Sequence, residues 1–302
     1  MSSRASTLSD RTRQAQAKAR VLREALPWVT RWAGSTVVVK YGGHVTGEDD
    51  AGALLDTAFA ADVALLRRLG LRMVVVHGGG PQISALSRRL GLDARFVNGR
   101  RVTDEATLEI VRMVLLGQVN PRLVGLITTA GAAAVGISGT DAGLLTVRPA
   151  EPALGAVGEV ERVDTRVLEG LLDNGAVPVV ATVGRGPDGE DRNVNADTAA
   201  GAIAGALNAD KLIYLTNVAG LYEHFGTGDQ ALLSEIEPAR LRDMLDSGEL
   251  HTGMVPKVES MLAALDGGVD RAYLLDGRVE HALLLEIFTD EGIGTQVSRE
   301  PS

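Results

Sequence analysis

Residues 72–81 read RMVVVHGGGP, an apolar run that stops at three glycines and a proline. A short, continuous apolar run rich in β-branched residues predicts a fully buried strand, and proline is favoured in the first turn of a helix. Residues 36–43 read TVVVKYGG and residues 211–216 read KLIYLT, so the strand pattern recurs on both sides. These runs predict buried parallel strands, two of which end in glycine turns.

Helical patterns lie between the strands, over residues 50–69, 81–90, 104–118, 121–131, 165–174 and 195–207. Continuous apolar strands that alternate with helices predict an α/β fold, a three-layer αβα sandwich around a central, mostly parallel sheet. Ligands bind such sheets beyond the carboxyl ends of the strands. Because the glycine clusters lie at those ends, we expect the functional site there.

Composition and motifs narrow the classes of function. The 302 residues include no cysteine, which excludes disulfides, thiolate metal sites and thiol nucleophiles. The net charge of −9 argues against nucleic-acid binding. The chain has no apolar run of about 18 residues, so we expect no membrane span. The histidines lack metal-binding spacing, and neither a P-loop nor a G-x-G-x-x-G fingerprint follows a strand.

Residues 1–28 precede every predicted core strand. Their arginine, serine and alanine content is also typical of a transit peptide, which is the alternative interpretation. Apolar residues nevertheless recur on one helical face, at Leu8, Ala15, Ala19, Leu22 and Leu26. We therefore predict an N-terminal amphipathic helix that ends near Pro27 and Trp28 and docks on a partner subunit.

Lysine is scarce in this chain, and arginine supplies most of the positive charge. Lys40 ends a predicted strand. Lys257 begins a helix, where a cation opposes the helix dipole, and this position favours an anionic partner. Lys211 begins a strand, and we expect it to be solvated at the edge of the sheet.

Two polar segments could bind an anionic ligand. Residues 193–197, NVNAD, place three polar side chains where a helix begins, although Asn195 or Asp197 could simply cap that helix. Residues 98–103, NGRRVT, present two guanidinium groups, whose fork geometry suits a carboxylate. The alternative is an exposed basic turn.

Five motifs in this order carry a resemblance to a known family. They are VVKYGG at residues 38–43, VHGGGP at 76–81, NGRRVT at 98–103, NVNAD at 193–197 and GMVPK at 253–257. Each motif is weak alone. The ordered set resembles the amino-acid kinase family, and within it the N-acetylglutamate kinases, over nearly the whole chain after the N-terminal arm.

The resemblance implies a role for each motif. Lys40 and Lys257 would neutralise the transferring phosphoryl group, and Asp197 would hold the two lysines in place. The substrate-binding residues would be Gly79, Gly80, Arg101 and Asn193. Nucleotide and phosphate contacts would come from Gly42, Gly43, Asn217, Val218, Gly220, Leu221 and Gly253. Asn217 departs from the family pattern, which frequently has aspartate there.

The activity implied by the resemblance is transfer of the γ-phosphate of ATP to the side-chain carboxylate of N-acetyl-L-glutamate, a cytoplasmic step of arginine biosynthesis. Mg²⁺ would bridge the β- and γ-phosphates, with no protein side chain assigned to it. Residues 29–185 would bind the amino-acid substrate and residues 186–302 the nucleotide, within one continuous domain. The alternatives are a kinase for N-acetyl-aminoadipate, which is one methylene longer, and a non-catalytic arginine sensor on the same fold.

The N-terminal helix and residues 281–295 resemble the branch of the family that is inhibited by L-arginine. In that branch the helix interlaces dimers, so the resemblance implies a homohexamer built as a trimer of dimers. Arginine would bind near Trp28, His281, Glu286 and Gly294. A nitrogen-signalling regulatory protein would be a further partner, whereas neither nucleic acid nor a membrane is expected to be bound.

Overall fold

A computed structural model describes residues 2–42, 50–97, 99–226, 228–250, 253–289 and 292–298. Within these residues the α-helices are α1 (Ser2–Trp32), α2 (Asp50–Arg68), α3 (Gly80–Arg89), α4 (Glu105–Val114), α5 (Asn120–Thr129), α6 (Arg166–Asp173), α7 (Ala196–Ala206), α8 (Pro238–Asp246), α9 (Val255–Asp266) and α10 (Ala282–Phe288). The strands are β1 (Thr36–Tyr41), β2 (Arg72–His77), β3 (Phe96–Val97), β4 (Arg100–Arg101), β5 (Ala134–Ser138), β6 (Leu145–Pro149), β7 (Val157–Val163), β8 (Val177–Ala181), β9 (Val183–Arg185), β10 (Asp191–Val194), β11 (Lys211–Thr216), β12 (Leu221–Glu223), β13 (Ala231–Leu233), β14 (Glu235–Ile236), β15 (Arg271–Asp276) and β16 (Thr295–Ser298).

Eight strands form the central sheet in the order β14-β16-β15-β11-β1-β2-β8-β5. Neighbouring strands run parallel except β15 and β16, which are antiparallel. β1 lies between β11 and β2, so that Lys40 is opposite Tyr214 on one side and Val76 on the other. The carboxyl ends of these strands, which carry Lys40, His77 and Thr216, therefore lie side by side.

Helices cover both faces of this sheet. Val37 and Val39 of β1 pack into a core with α2, α4, α5 and α10, whereas Val38 packs into a second core with α6, α7, α8 and α9. The alternation follows from the period of two of a β-strand. The predicted three-layer αβα sandwich with a mostly parallel sheet is confirmed.

Helices α4 and α5 are joined by a π-helical turn at Leu115–Val119. They form one continuous helical stretch, Glu105–Thr129, instead of the two separate helices that the sequence predicted. By length and composition alone this stretch could cross a membrane. Its apolar side chains, among them Ile110, Leu123 and Ile127, pack into the core beneath the sheet. Its apolar composition is therefore accounted for by this packing.

Four short strands form a closed barrel beside the sheet, in the order β10-β7-β6-β9. The sequence did not predict this barrel, because β7 alternates apolar residues with Glu159 and Glu161 and resembles no continuous buried run. β10 leads directly into α7. The barrel thereby holds the polar segment 193–197 near the carboxyl end of β1, where Lys40 lies.

Helix α1 continues through Pro27 to Trp32, beyond the predicted end at Trp28. Proline inside a helix removes a backbone hydrogen bond. The last turn is nevertheless stabilised because Trp32 is 9% exposed and packs into the core beside β1. This burial keeps the end of α1 on the sheet and leads the chain directly into β1.

Candidate active site

Lys40 occupies the carboxyl end of β1, at the centre of the sheet. Its side chain is nearly buried and folds back over the following turn, since a Cβ at Gly42 would lie 3.1 Å from Lys40 Nζ. Gly42 therefore leaves room for the lysine, and it is not among the residues that line the two cavities described below. Gly43, which the resemblance assigned to phosphate binding, lies outside the described residues.

In segment 193–197 one residue caps the helix and another is left to bind, which were the two roles that the sequence left open. Asn195 caps α7, because its Oδ1 accepts hydrogen bonds from the backbone N–H groups of Asp197 at 2.8 Å and Thr198 at 3.1 Å. The carboxylate of Asp197 is therefore available to other partners. It lies in the first turn of α7 and is nearly buried.

Two ammonium groups bind this one carboxylate. Lys40 Nζ lies 2.8 Å from Asp197 Oδ1, and Lys257 Nζ, in the first turn of α9, donates to Asp197 Oδ2 at 3.0 Å. Burial alone would raise the pKa of Asp197, but the charges of the two lysines outweigh it and hold the pKa below its ordinary value. The ionised aspartate neutralises only one of two cations, so the cluster retains positive charge for an anionic ligand.

A cavity of about 290 Å³ opens beside these three residues. The predicted residues that line it are Lys40, Gly79, Gly80, Arg101, Asn193, Asp197 and Lys257. Arg101 Nη2 donates to Gly80 O and Ser84 Oγ, and the guanidinium stacks on Phe96 at 4.8 Å. Arg101 Nη1 is buried and has no hydrogen-bond partner among the described residues. A buried donor without a partner is costly, so this atom favours an anionic ligand such as a carboxylate.

A second cavity, of about 320 Å³, adjoins the first at Lys257, which lines both. The residues that the resemblance assigned to the nucleotide line it: Asn217, Val218, Gly220, Leu221 and Gly253. Tyr222, Phe225, Leu250 and Met254 add apolar surface. The sequence did not single out the two aromatic residues, because neither belongs to a recognisable motif. An apolar cleft with a few polar groups suits a planar base.

Comparison with known proteins identifies the family of this chain. Residues 35–276 match the amino acid kinase family. The chain belongs to the amino-acid kinase family. Within the family it is 52% identical over 291 residues to acetylglutamate kinase of Frankia alni, covering 94% of this chain and 83% of the relative. It is 48% identical over 304 residues to the enzyme of the same name from Acidiphilium cryptum, covering 96% and 99%. The resemblance to the acetylglutamate kinases is confirmed, and the chain is a kinase of this family.

Solved structures show the same fold as this amino-acid kinase. N-acetylglutamate synthase from Neisseria gonorrhoeae, complexed with coenzyme A and N-acetyl-glutamate, aligns with a TM-score of 0.81 at 28% identity. The alignment covers 94% of this chain, which spans only 64% of the synthase. Carbamate kinase from Giardia lamblia bound to AMP-PNP aligns with a TM-score of 0.68 at 17% identity, covering 89% of this chain and 99% of that chain, and supports the fold alone.

The amino-acid kinase has a third cavity, of about 480 Å³, at the amino ends of the strands, opposite to the carboxyl ends where Lys40 lies. Trp28, Glu286 and Gly294 line it, so the structure brings together three of the four residues that the resemblance connected with regulation. His281 does not line it. Its Nδ1 donates to Asp62 Oδ1 at 2.6 Å, on α2.

Among the described residues, no group of three or more His, Asp or Glu side chains could hold a metal ion.

Lys211 is buried at this third cavity, so the prediction of a solvated edge lysine was wrong. Its Nζ lies 3.7 Å from the Trp32 ring centroid and donates to Tyr273 Oη at 2.5 Å. Burial, together with the nearby charge of Arg271, lowers the pKa of Lys211 to about 7. The sequence could not indicate this, because β11 lies in the middle of the sheet and the distant end of α1 covers its first residue.

Proposed function

We propose that this chain transfers the γ-phosphate of Mg·ATP to the γ-carboxylate of N-acetyl-L-glutamate and forms N-acetyl-L-glutamyl 5-phosphate in arginine biosynthesis. The observation that carries the proposal is the pair of ammonium groups, Lys40 and Lys257, on one carboxylate between two adjoining cavities. About half of the residues are identical to proteins named acetylglutamate kinase, which supports the same substrate.

The chemistry requires charge neutralisation and positioning more than proton transfer. The attacking carboxylate is already ionised at neutral pH, so no strong base is needed. Phosphoryl transfer depends mainly on alignment and electrostatic stabilisation, and the difficulty is that two anions must approach each other. Lys40 faces the first cavity and Lys257 faces both. The two ammonium groups would therefore flank the phosphoryl group as it moves, with Asp197 fixing their separation.

The remaining groups suit the ends of the two substrates. Arg101 Nη1 would bind the α-carboxylate of N-acetylglutamate, alongside Asn193. Gly79 and Gly80 lie at the start of α3, where backbone N–H groups and the helix dipole favour an anion. Residues 29–185 would thus supply most of the amino-acid site and residues 186–302 the nucleotide site. Mg²⁺ would enter with the nucleotide as part of the substrate Mg·ATP.

An acyl-phosphate assay tests this proposal. The protein is incubated with ATP, Mg²⁺ and N-acetyl-L-glutamate, and hydroxylamine traps the product as a hydroxamate. We expect hydroxamate and ADP in equal amounts, and only when all three components are present. N-acetyl-aminoadipate in a parallel reaction should turn over more slowly. An equal or faster rate on the longer substrate would favour the alternative kinase, and no hydroxamate from either would contradict the proposal.

We also propose that L-arginine inhibits this kinase by binding in the third cavity. Glu286 offers a carboxylate to a guanidinium, and Arg271 and Lys211 offer cations to a carboxylate. The Neisseria gonorrhoeae synthase has also been solved complexed with coenzyme A and L-arginine, and aligns with a TM-score of 0.77. A rate and a substrate saturation that are unchanged in millimolar arginine would contradict this part.

The assembly that we propose is a cytoplasmic homohexamer, a trimer of dimers joined by α1. Val21, Leu22 and Leu26 support it, since they are 63%, 64% and 58% exposed on that helix. Apolar side chains so exposed on one helix are typical of an interaction surface. On the resemblance alone, a nitrogen-signalling regulatory protein is proposed as a further partner.

A further inference from the structure

A buried polar network lies at the ends of the two strands that lead into Gly42 and Gly78 beside the candidate active site. Tyr41 precedes Gly42, and His77 precedes Gly78. The two residues are register partners on the neighbouring strands β1 and β2. Their side chains point to the same face of the sheet, opposite to the face of Lys40, because side chains alternate along a strand. Helices α2 and α5 supply the groups that hold them.

Tyr41 is held by α2. Its ring stacks on Phe59 with centroids 4.0 Å apart, and its hydroxyl donates to Asp56 Oδ1 at 2.5 Å. Asp56 is fully buried, and its Oδ2 lies 2.5 Å from Arg122 Nη2, in the first turn of α5. A buried carboxylate needs such partners, since an unpaired charge in the interior is strongly destabilising. These contacts join the end of β1 to both helices.

His77 is held by Asn120, at the start of α5. Asn120 Nδ2 donates to His77 Nε2 at 3.0 Å and to Val179 O on β8 at 2.8 Å. His77 Nδ1 donates to Gly78 O at 3.0 Å. These bonds require the neutral imidazole with its proton on Nδ1, and complete burial lowers the pKa of His77 to about 4. The ring is therefore a neutral linker between the glycine turn and the helix.

The π turn brings α5 tightly against these strand ends. A Cβ at Gly79 would lie 2.7 Å from Leu115 Cδ2, and a Cβ at Gly136, on β5, would collide with Asn120 Oδ1. Both glycines therefore leave space that this helical segment fills. π turns inside helices are frequent at functional sites, and this one lies immediately before Asn120.

We propose that Tyr41, Asp56, Arg122, Asn120 and His77 form a clamp that fixes the strand ends before Gly42 and Gly78 relative to each other during phosphoryl transfer. The inference rests on the proposed function. None of the five residues lines the substrate or the nucleotide cavity, so they are positioning residues. The clamp acts on kcat because a misplacement of about 1 Å at a reacting group can lower a rate roughly 100-fold.

Point variants with matched controls test the clamp. Tyr41→Phe removes the hydroxyl and keeps the ring on Phe59. Gly136→Ala displaces Asn120 without altering any residue of the clamp. Gly125→Ala, on α5, is the matched control, since an added Cβ there meets nothing within 4 Å. We expect the first two to lower kcat by about 10- to 100-fold with KM changed less than about threefold, and the control to keep both.

Arg122 is a position that tolerates substitution, because its side chain is 43% exposed. Arg122→Gln should lower kcat, and Arg122→Lys should restore part of it while both proteins melt at similar temperatures. A loss of thermal stability without a loss of kcat would indicate a purely structural network and would overturn the clamp. A wild type that forms no hydroxamate overturns the proposed function itself. An active wild type whose Tyr41→Phe and Arg122→Gln variants keep full kcat overturns the clamp alone.

Discussion

At the scale of single residues, the site depends on one carboxylate shared by two ammonium groups. Asp197 is 5% exposed, and both of its oxygens are engaged by lysines. Removing one partner of a buried pair costs about 3–5 kcal/mol, because it leaves a buried charge without its partner. Without Asp197 the two ammonium groups would repel each other. The aspartate therefore determines how closely Lys40 and Lys257 approach before any substrate binds.

Replacing Lys257 by methionine removes the charge and keeps most of the apolar side chain. We expect kcat to fall about 100- to 1,000-fold, because a lost preorganised donor costs about 2.7–4 kcal/mol of transition-state stabilisation. Steady-state kinetics with the hydroxamate assay measure this change. Lys18→Met, the same substitution on the exposed surface of α1, is the control and should leave kcat unchanged. Full turnover by the Lys257→Met protein would contradict the assigned role.

The pKa of Lys211 predicts how the proposed inhibition by arginine should depend on pH. Burial lowers that pKa to about 7, and Arg271, Arg31, Glu286 and Asp210 also act on it. Below pH 7 the ammonium form can bind the carboxylate of arginine, and above it the neutral amine cannot. The inhibition constant of arginine should therefore rise between pH 6 and pH 8, by at most about tenfold per pH unit.

Inhibition curves at several pH values measure this dependence, with the uninhibited rate at each pH as the reference. Lys211→Arg keeps a charge that does not titrate in this range, so its inhibition constant should vary less with pH. Lys211→Met should be weakly inhibited throughout. An inhibition constant of the wild type that is flat from pH 6 to pH 8 would be inconsistent with a titrating lysine in the cavity.

At the scale of elements, the sequence predicted the central strands, which are buried on both faces of the sheet, and missed the short, partly exposed strands of the barrel. β1, β2 and β11 are continuous apolar runs, and their predicted bounds match the structure closely. The barrel strands are short and partly charged, so no pattern distinguished them from loops. The π turn was missed because one inserted residue hardly changes the apolar spacing of a helix.

The candidate site could be predicted only in part, for a similar reason. Lys40, Asp197 and Lys257 belong to motifs whose order could be read along the chain. Tyr41 and Asp56 look like ordinary residues of a strand and a helix, and only the folded chain brings the two together. The structure also supplies Lys211 at the third cavity, where the sequence favoured His281. Long-range contacts between elements, which no local pattern encodes, account for these differences.

Helix α1 carries the prediction that belongs to this scale. Deleting residues 1–26 removes the exposed stripe of Val21, Leu22 and Leu26 and keeps Trp28 and Trp32. If the protein is the proposed hexamer, we expect the truncated form to sediment as dimers in sedimentation velocity. Leu22→Asp with Leu26→Asp should have the same effect at full length, whereas Gln16→Asp, at an exposed position on the other side of the helix, should not. A truncated protein that still sediments as a hexamer would contradict the proposed role of α1.

At the scale of the whole molecule, the proposed inhibitor cavity and the lysine site lie at opposite ends of the same strands. β11 begins at Lys211 in the cavity, and its six residues span roughly 17 Å to the edge where Asn217 follows. β1 likewise connects Trp32, at the cavity, with Lys40. Two neighbouring strands of the central sheet therefore run from one region to the other, and we expect ligand binding at one end to affect binding at the other.

This layout predicts reciprocal binding. If arginine weakens the binding of N-acetylglutamate by some factor, N-acetylglutamate must weaken the binding of arginine by the same factor, because the coupling free energy is a property of the pair of sites. Calorimetric titrations of each ligand, with and without saturating amounts of the other, measure both factors. Trp32→Ala opens the contact between α1 and Lys211 and should reduce both factors together. Binding constants that are independent of each other in a protein that arginine still inhibits would mean that arginine acts on the transfer step alone, and that the sheet does not connect the two binding equilibria.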